Sequence, residues 1–266
     1  MIIPLENYNG RKIVENGQLC ERKNGRGVDI NRNWSLDWGK KEQDFDPAEE
    51  FPGNAPFSEP ETRIMRDLAS SFKPHLWINV HSGMQAMFTP YDHKRDLPDP
   101  RVAEPMKLLL QKLNHLHCNN SCVIGSGGSS VGYLAHGTAT DYMYEVLGVP
   151  LAFTFEIYGD MEAPNEDCFR MFNPTTLETY ESIVTNWSMA FITIFVKLET
   201  LFYLHGLCSC RGKMMVPSLE GSSTLTKFLL LGTQLELGSG TMMSRPSLSS
   251  LYYFQLLTWP SFGIYT

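Results

Sequence analysis

The sequence predicts an α/β fold in which helices cover both faces of a buried sheet. Amphipathic segments of helical length alternate along the first 190 residues with two short apolar runs of strand length. With 266 residues, 42% of them hydrophobic, the chain is long enough to bury such a core. The same composition excludes the coiled-coil, collagenous and low-complexity classes.

A capping-box pattern at residues 58–61 predicts the first helix, with Ser58 as its N-cap and Pro74 beyond its end. One face of this helix would carry the apolar side chains Ile64, Met65, Leu68 and Phe72. Residues 102–116 predict a second amphipathic helix, and Asn173 with Pro174 would open a third. The third helix would bury Leu177, Tyr180, Val184, Trp187 and Phe191.

The two apolar runs, residues 76–80 and 151–157, predict buried strands. His81 directly follows the first strand, and Glu156 lies near the end of the second. Ligands of α/β sheets bind beyond the carboxyl ends of the strands, so we expect His81 and Glu156 to be neighbours in a site. The Gly/Ser-rich segment 125–130 is not a phosphate loop, because it lacks the Gly-Lys-Ser/Thr sequence and follows a helix.

The charge pattern limits the classes of partner. A net charge of −7, with no basic run longer than Lys40 and Lys41, argues against nucleic acid as a ligand. The apolar stretches fall short of the roughly 20 residues that span a bilayer, and the first residues have no signal-peptide pattern. We therefore expect no membrane span, while cellular location and oligomeric state stay undetermined.

Composition changes sharply near residue 190. Residues 191–266 contain eight charged side chains and no Asp. We therefore expect a folded domain over residues 1–195 and an irregular, low-charge tail over residues 196–266, with a small second domain as the alternative. Of the six cysteines, Cys118 and Cys122 are close enough to form a disulfide or to remain two free thiols near a helix end.

Three features of the sequence suggest chemistry. Glu156 is an acid within an apolar strand, where its pKa would rise towards that of a general base, unless it faces water from an edge strand. Residues 29–34 (DINRNW) suit either the binding of a planar anion or a loop of Asx turns. His81 is a candidate metal ligand, a candidate base or a buried histidine with a structural role.

Taken together, four segments of the chain resemble the zinc metallocarboxypeptidases of the carboxypeptidase A/B type, in a plant-like form. They are residues 27–34 (GVDINRNW), 53–62 (GNAPFSEPET), 79–82 (NVHS) and 153–156 (FTFE). The resemblance covers roughly residues 7–195. It implies a zinc-exopeptidase-like fold with a mixed, mostly parallel sheet flanked by helices. It also implies that the substrates are peptide or protein C-termini, from which single residues are released by hydrolysis.

The resemblance also implies roles for individual residues. His81 corresponds to the third zinc ligand of the family, and Glu156 to the carboxylate that activates the zinc-bound water. Asn31 and Arg32 correspond to the pair that binds the terminal carboxylate of the substrate. Such a reaction needs a metal to lower the pKa of water, a base and a cation for the developing oxyanion.

Three further roles follow from the resemblance. Arg22 corresponds to the arginine that polarises the scissile carbonyl, with Arg11 and Arg26 as rivals for that role. Tyr133 corresponds to a mobile tyrosine that closes over the substrate, and Thr140 to a specificity residue of the side-chain pocket. A neutral Thr140 gives no reason to expect a strict preference for basic C-terminal residues.

The His-x-x-Glu motif that supplies the first two zinc ligands of the family is missing, since none of the seven histidines has Glu three residues later. We therefore expect a domain that is incomplete on its N-terminal side, with an impaired zinc site and impaired peptidase activity. The alternatives are a non-catalytic module that binds peptide C-termini and an inactive fragment.

Overall fold

The structure is a computed structural model, and it describes residues 1–164 and 166–205. The helices are α1 (Tyr8–Glu15), α2 (Pro60–Phe72), α3 (Pro100–His117), α4 (Gly127–Ser130), α5 (Ala139–Asp141), α6 (Cys168–Phe172) and α7 (Leu177–His205), with a 3-10 turn at Ile30–Arg32 and a π-helical turn at Tyr142–Val146. The strands are β1 (Leu76–His81), β2 (Met84–Thr89), β3 (Val123–Ser126) and β4 (Leu151–Tyr158).

The four strands form one mixed sheet in the order β1-β4-β2-β3. β1 pairs with β4 in parallel, and so does β2 with β3, whereas β2 and β4 are antiparallel. The prediction of a mixed, mostly parallel sheet is confirmed, and β1 and β4 coincide with the two predicted strands. β2 and β3 were not predicted, because β2 begins only three residues after β1 and β3 is a four-residue strand whose second half lies in the Gly/Ser-rich segment.

Helices α3 and α7 cover one face of the sheet. Phe153 and Phe155 of β4 point to this face, and the ring of Phe155 lies 5.5 Å from that of Trp187 on α7. The indole of Trp187 also donates a 2.8 Å hydrogen bond to the backbone oxygen of Ile157, which fixes α7 to β4. This layer is the larger of the two hydrophobic clusters.

Helix α2, helix α5 and the π-helical turn pack on the opposite face, around the buried Trp34. Because side chains alternate along a strand, Thr154 and Glu156 point to this second face. His81 lies in register with Glu156 on the neighbouring strand. The two residues predicted to share a site are therefore cross-strand neighbours.

Helix α2 differs in detail from its prediction. Its N-cap is Glu59 rather than Ser58, because the Ser58 hydroxyl bonds to the side chains of Asn33 and Glu59. Met65 is buried, whereas Ile64 is 65% exposed. The apolar face of this helix is thus turned away from the predicted one.

Helix α7 begins at Leu177, three residues after Pro174, and Leu177 itself is 70% exposed instead of buried. The helix continues to His205, beyond residue 195, where we placed the end of the folded domain. The remainder of the predicted tail, residues 206–266, lies outside the described residues. None of the described helices is long and apolar enough to cross a membrane.

Two disulfides join the four cysteines of the described part. Cys118 and Cys122 are bonded to each other, so the disulfide alternative is the correct one for this pair. Cys20 and Cys168 are bonded across 148 residues of sequence. This second bond connects the segment that precedes the site with the segment that follows β4.

Candidate functional site

One cavity lies over the second face of the sheet, where β1 and β4 end. Six of the seven predicted site residues line it: Arg22, Asn31, Arg32, His81, Tyr133 and Glu156. They come from the N-terminal loops, two strands and the segment that precedes α5, and the tertiary fold brings them together.

His81 and Glu156 form the floor of the cavity. His81 Nδ1 lies 3.8 Å from Glu156 Oε1, and both residues are buried. Burial raises the pKa of Glu156 to about 8, with Arg22 acting in the opposite direction and Asp92 adding to the rise. The second carboxyl oxygen, Oε2, is buried and has no hydrogen-bond partner within the part of the chain that the structure describes.

The imidazole of His81 is neutral. Burial, followed by the positive charge of Arg22, lowers the pKa of His81 to about 3 against the opposing effect of Asp29. A neutral imidazole has a lone pair that can bind a metal ion or accept a hydrogen bond.

Arg22 is held against Asp29, with Nη2 at 2.6 Å and Nε at 2.8 Å from Oδ2. Its third nitrogen, Nη1, is buried and makes no hydrogen bond to any described residue. The two rivals are elsewhere: Arg11 pairs with Glu15 on α1, and the side chain of Arg26 is 64% exposed. Of the three candidates, Arg22 is the one that lines the cavity.

The DINRNW segment contains the Asx turn that its sequence suggested. In this turn, Asp29 Oδ1 accepts a 2.9 Å hydrogen bond from the amide of Asn31. Asn31 Oδ1 in turn accepts a 3.0 Å hydrogen bond from the amide of Ala139. The turn therefore holds Arg32 and Asn31 in place beside the cavity.

Arg32 is held by Glu50, whose Oε1 lies 2.6 Å from Nη2 and 3.2 Å from Nε. Arg32 Nη1 donates a 3.2 Å hydrogen bond to the backbone oxygen of Asn31. Burial lowers the pKa of Arg32, but the negative charges of Asp29 and Glu50 raise it by more. The net shift is upward, so the guanidinium stays charged.

Tyr133 and Arg32 lie between this cavity and a second one, which loop residues 39–52 line on the other side. The segment that carries Tyr133 is anchored by His136, whose Nε2 lies 2.7 Å from Glu42 Oε1. Tyr133 thus lines the same two cavities as Arg32.

Thr140 is the one predicted residue that does not line the cavity. Its hydroxyl lies 2.7 Å from that of Thr154, which does line the cavity. Thr140 is thus buried behind a residue that lines the cavity. Thr138, two residues earlier, lines the cavity.

Asp92 is a site residue that the sequence analysis missed. Burial and the charge of Asp141 raise the pKa of Asp92 to about 8, opposed by Thr138. Its carboxyl packs so closely on Gly127 that any side chain at that glycine would collide with it. Asp92 follows β2, which runs antiparallel to β4, so its place in the cavity depends on tertiary packing and not on a strand-end pattern in the sequence.

The residues present do not fit a catalytic zinc ion. Among residues 1–164 and 166–205, no three His, Cys, Asp or Glu side chains are grouped so that they could hold a metal. His81, Glu156 and Asp92 line the cavity without being grouped as a set of ligands, and the guanidinium groups of Arg22 and Arg32 line the same cavity. A catalytic zinc takes three protein ligands, and nearby cations oppose a divalent ion.

Comparison with known proteins finds similarity to carboxypeptidases. The family model described as zinc carboxypeptidase matches residues 1–188. Carboxypeptidase B of Helicoverpa zea is 29% identical over 150 residues, which are 53% of this chain and 33% of that protein. Carboxypeptidase A2 of Mus musculus is 33% identical over 135 residues, 49% of this chain and 32% of that protein. The chain thus spans about a third of the length of these relatives.

Solved structures show the same likeness. Bovine thrombin-activatable fibrinolysis inhibitor, in complex with tick carboxypeptidase inhibitor, superposes with a TM-score of 0.54 and 26% identity over 72% of this chain and 69% of that chain. Carboxypeptidase A from Helicoverpa armigera has the same fold, with a TM-score of 0.54 and 24% identity over 71% of this chain and 50% of that chain.

Proposed function

Because the chain belongs to the zinc carboxypeptidase family, we propose that its cavity binds the C-terminal end of a peptide. We further propose that hydrolysis is impaired in this chain, although its lineage is that of a peptide hydrolase. The observation that carries the proposal is the pair of buried guanidinium groups, Arg22 and Arg32, in the same cavity as the buried carboxyl of Glu156.

Arg32 and Asn31 would bind the terminal carboxylate. A guanidinium has five N–H donors, and the bonds to Glu50 and to the Asn31 carbonyl use three of them, one on each nitrogen. One N–H remains on each of Nη1 and Nη2, which is the arrangement that a carboxylate binds in a bidentate manner. Glu50 therefore holds the guanidinium by its Nε and Nη2 atoms, and the ligand would bind at the remaining N–H groups, where Asp29 Oδ2 also lies 3.9 Å from Nη1.

Arg22 would bind the carbonyl oxygen of the terminal peptide bond. Its buried Nη1 lacks a partner among the described residues, and an unpaired buried donor is costly. A peptide carbonyl in the cavity would satisfy this donor. The bond between Arg22 and Asp29 keeps the guanidinium in place for that contact.

Glu156 would exchange a proton with water or with the peptide nitrogen. With its pKa raised to about 8, the carboxyl is largely protonated at neutral pH, so it is a weak base at that pH. Together with the incomplete set of metal donors, this supports binding with little turnover. The non-catalytic binding module is thus the form of the proposal that these residues favour.

The test starts with zinc content, measured per chain by elemental analysis after dialysis of the purified full chain against trace zinc. We expect a value near zero, and a value near one would overturn the impaired-hydrolysis part of the proposal. Calorimetry then compares a peptide that ends in a free carboxylate with the same peptide amidated. We expect the free acid alone to bind.

Equal binding of both peptides, or binding of neither, would overturn the carboxylate-binding part. A thermal melt of the same sample separates a failed site from a failed fold. An inactive fragment would show neither peptide binding nor a cooperative unfolding transition.

A further inference from the structure

Residues 119–121 (Asn-Asn-Ser) form the acceptor sequence for N-linked glycosylation, Asn-x-Ser/Thr. They lie in the turn that joins α3 to β3, and all three residues are exposed. None of the residues of this turn lines either of the two cavities, so the turn is separate from the site of the proposed function.

The backbone of this turn is held without using the side chain of Asn119. The buried Asn114 donates a 3.0 Å hydrogen bond to the backbone oxygen of Cys122 and accepts one from its amide. Asn119 and Asn120 have positive φ values of 49° and 61°, the left-handed backbone conformation of a tight turn. The side-chain amide of Asn119 has no hydrogen-bond partner in the described part of the chain, so it is available for modification.

The sequence contains two other acceptor motifs, and the fold disfavours both. In residues 33–35, Asn33 is fully buried and its amide donates to Pro52 O, Ala55 O and the Ser58 hydroxyl. In residues 186–188, Asn186 is exposed, but it lies in the regular backbone of α7 and its neighbour Trp187 is packed in the core. A glycan at Asn33 would displace a hydrogen-bonded core residue, and the chain would not fold around it.

The disulfides are an independent observation that points to the same modification. Cys20–Cys168 is formed across 148 residues, and Cys118–Cys122 directly brackets the acceptor. Disulfides that stabilise a fold form and persist in oxidising compartments such as the lumen of the endoplasmic reticulum. N-linked glycans are attached to surface loops of proteins that pass through that compartment.

We propose that Asn119 carries an N-linked glycan. In the transfer, Asn119 Nδ2 forms a bond to the anomeric carbon of an oligosaccharide donor linked to a polyprenyl diphosphate. The bond between that carbon and the diphosphate oxygen breaks, and the polyprenyl diphosphate leaves with the electron pair. The amide nitrogen loses one proton, so the step needs no oxidant or reductant.

The test is expression of the full chain behind a cleavable signal sequence in a eukaryotic secretory host, followed by peptide mapping. Treatment with a peptide amidase that removes N-glycans converts each occupied Asn to Asp, so the map identifies the site. We expect conversion at Asn119, complete loss of the glycan in Asn119→Gln and Ser121→Ala, and retention in Ser121→Thr. The matched control is Asn120→Gln, which changes the adjacent exposed amide and should leave the glycan in place.

An unmodified Asn119 in the secreted chain would overturn the proposal, as would a glycan that persists in Asn119→Gln. If the chain is not secreted, translation into glycosylation-competent microsomes reports the transfer itself, and no mass difference between the parent chain and Asn119→Gln would also overturn it.

Discussion

Arg32 depends for its geometry on one carboxylate and one turn. Glu50 binds two of its nitrogens, and the Asx turn at Asp29 fixes the backbone from which the side chain extends. A planar guanidinium held in this way differs from a flexible ammonium group, which provides charge without a fixed fork of donors. The shape of the donor group, as well as its charge, should therefore matter for binding.

We predict that Arg32→Lys weakens binding of a peptide with a free C-terminus by about tenfold or more, equivalent to ~1.4 kcal/mol per tenfold. Calorimetry with the free-acid and amidated peptides measures this change. Arg26→Lys is the matched control, because the Arg26 side chain is 64% exposed and outside the cavity. Equal affinity of Arg32→Lys and the parent chain would show that Arg32 does not hold the carboxylate.

Asp92 places an acid in the wall of a cavity where the sequence suggested only a neutral Thr140. A cationic side chain in the cavity would favour the ionised form of Asp92. Because the pKa of Asp92 is raised to about 8, its carboxyl carries a proton at neutral pH. A cationic ligand must therefore displace the proton of Asp92 when it binds. The affinity for a basic residue should therefore increase as the pH rises towards that value and level off above it.

We predict that a peptide ending in Lys binds more tightly than its counterpart ending in Leu. Asp92→Asn should lower this preference and the part of its pH dependence that Asp92 supplies, because Glu156 in the same cavity has a similarly raised pKa. A pH series of calorimetric titrations checks both effects. An unchanged ratio of the two affinities in Asp92→Asn would exclude Asp92 as the source of a preference.

At the scale of the elements, the N-terminal segment lies close to the first turn of α2. Burial raises the pKa of Glu6 to about 7, and the negative charge of Glu61 on α2 adds to this rise. The folded state therefore binds a proton more tightly here than the unfolded state does, in which the pKa is near 4.5. The stability from this group is present at low pH and is lost as the pH rises from about 4.5 to about 7.

We predict that Glu6→Gln has a higher melting temperature than the parent chain above pH 7, and a similar one below pH 4.5. Each kcal/mol should appear as a shift of about 2–4 °C for a domain of this size. Thermal melts across that pH range measure the difference, with Glu15→Gln on α1 as a control at an exposed carboxylate. A constant difference at all pH values would contradict titration of Glu6 as the cause.

At the scale of the whole molecule, the Cys20–Cys168 disulfide connects the beginning of the described chain with the segment beyond β4. Cys20 precedes Arg22 by two residues, so the disulfide also restrains the loop segment that places Arg22 in the cavity. A cross-link that closes a long loop removes more entropy from the unfolded state than one that closes a short loop.

We predict that replacing Cys20 and Cys168 by Ser lowers the free energy of unfolding by about 2–5 kcal/mol. The matched control is the double substitution of Cys118 and Cys122, which opens a loop with a sequence separation of 4 and should cost less. Urea unfolding monitored by circular dichroism compares the two variants. A larger loss in the control variant would show that loop entropy does not govern the effect.

The sequence by itself determined the elements whose signals are local. The apolar runs located β1 and β4, and the amphipathic pattern located α3. Since parallel strands end at one edge, these runs also implied that His81 and Glu156 are neighbours, as the register of β1 and β4 shows.

The tertiary structure alone decided which surfaces meet. It turned Met65 rather than Ile64 inward, brought Asp92 into the cavity and joined Cys20 to Cys168. The physical reason is that periodicity shows which residues an element can bury, whereas contacts between distant segments depend on the packing of all the elements together. Short strands such as β3 depend for their formation on a neighbouring strand, so their local sequence carries little signal of its own.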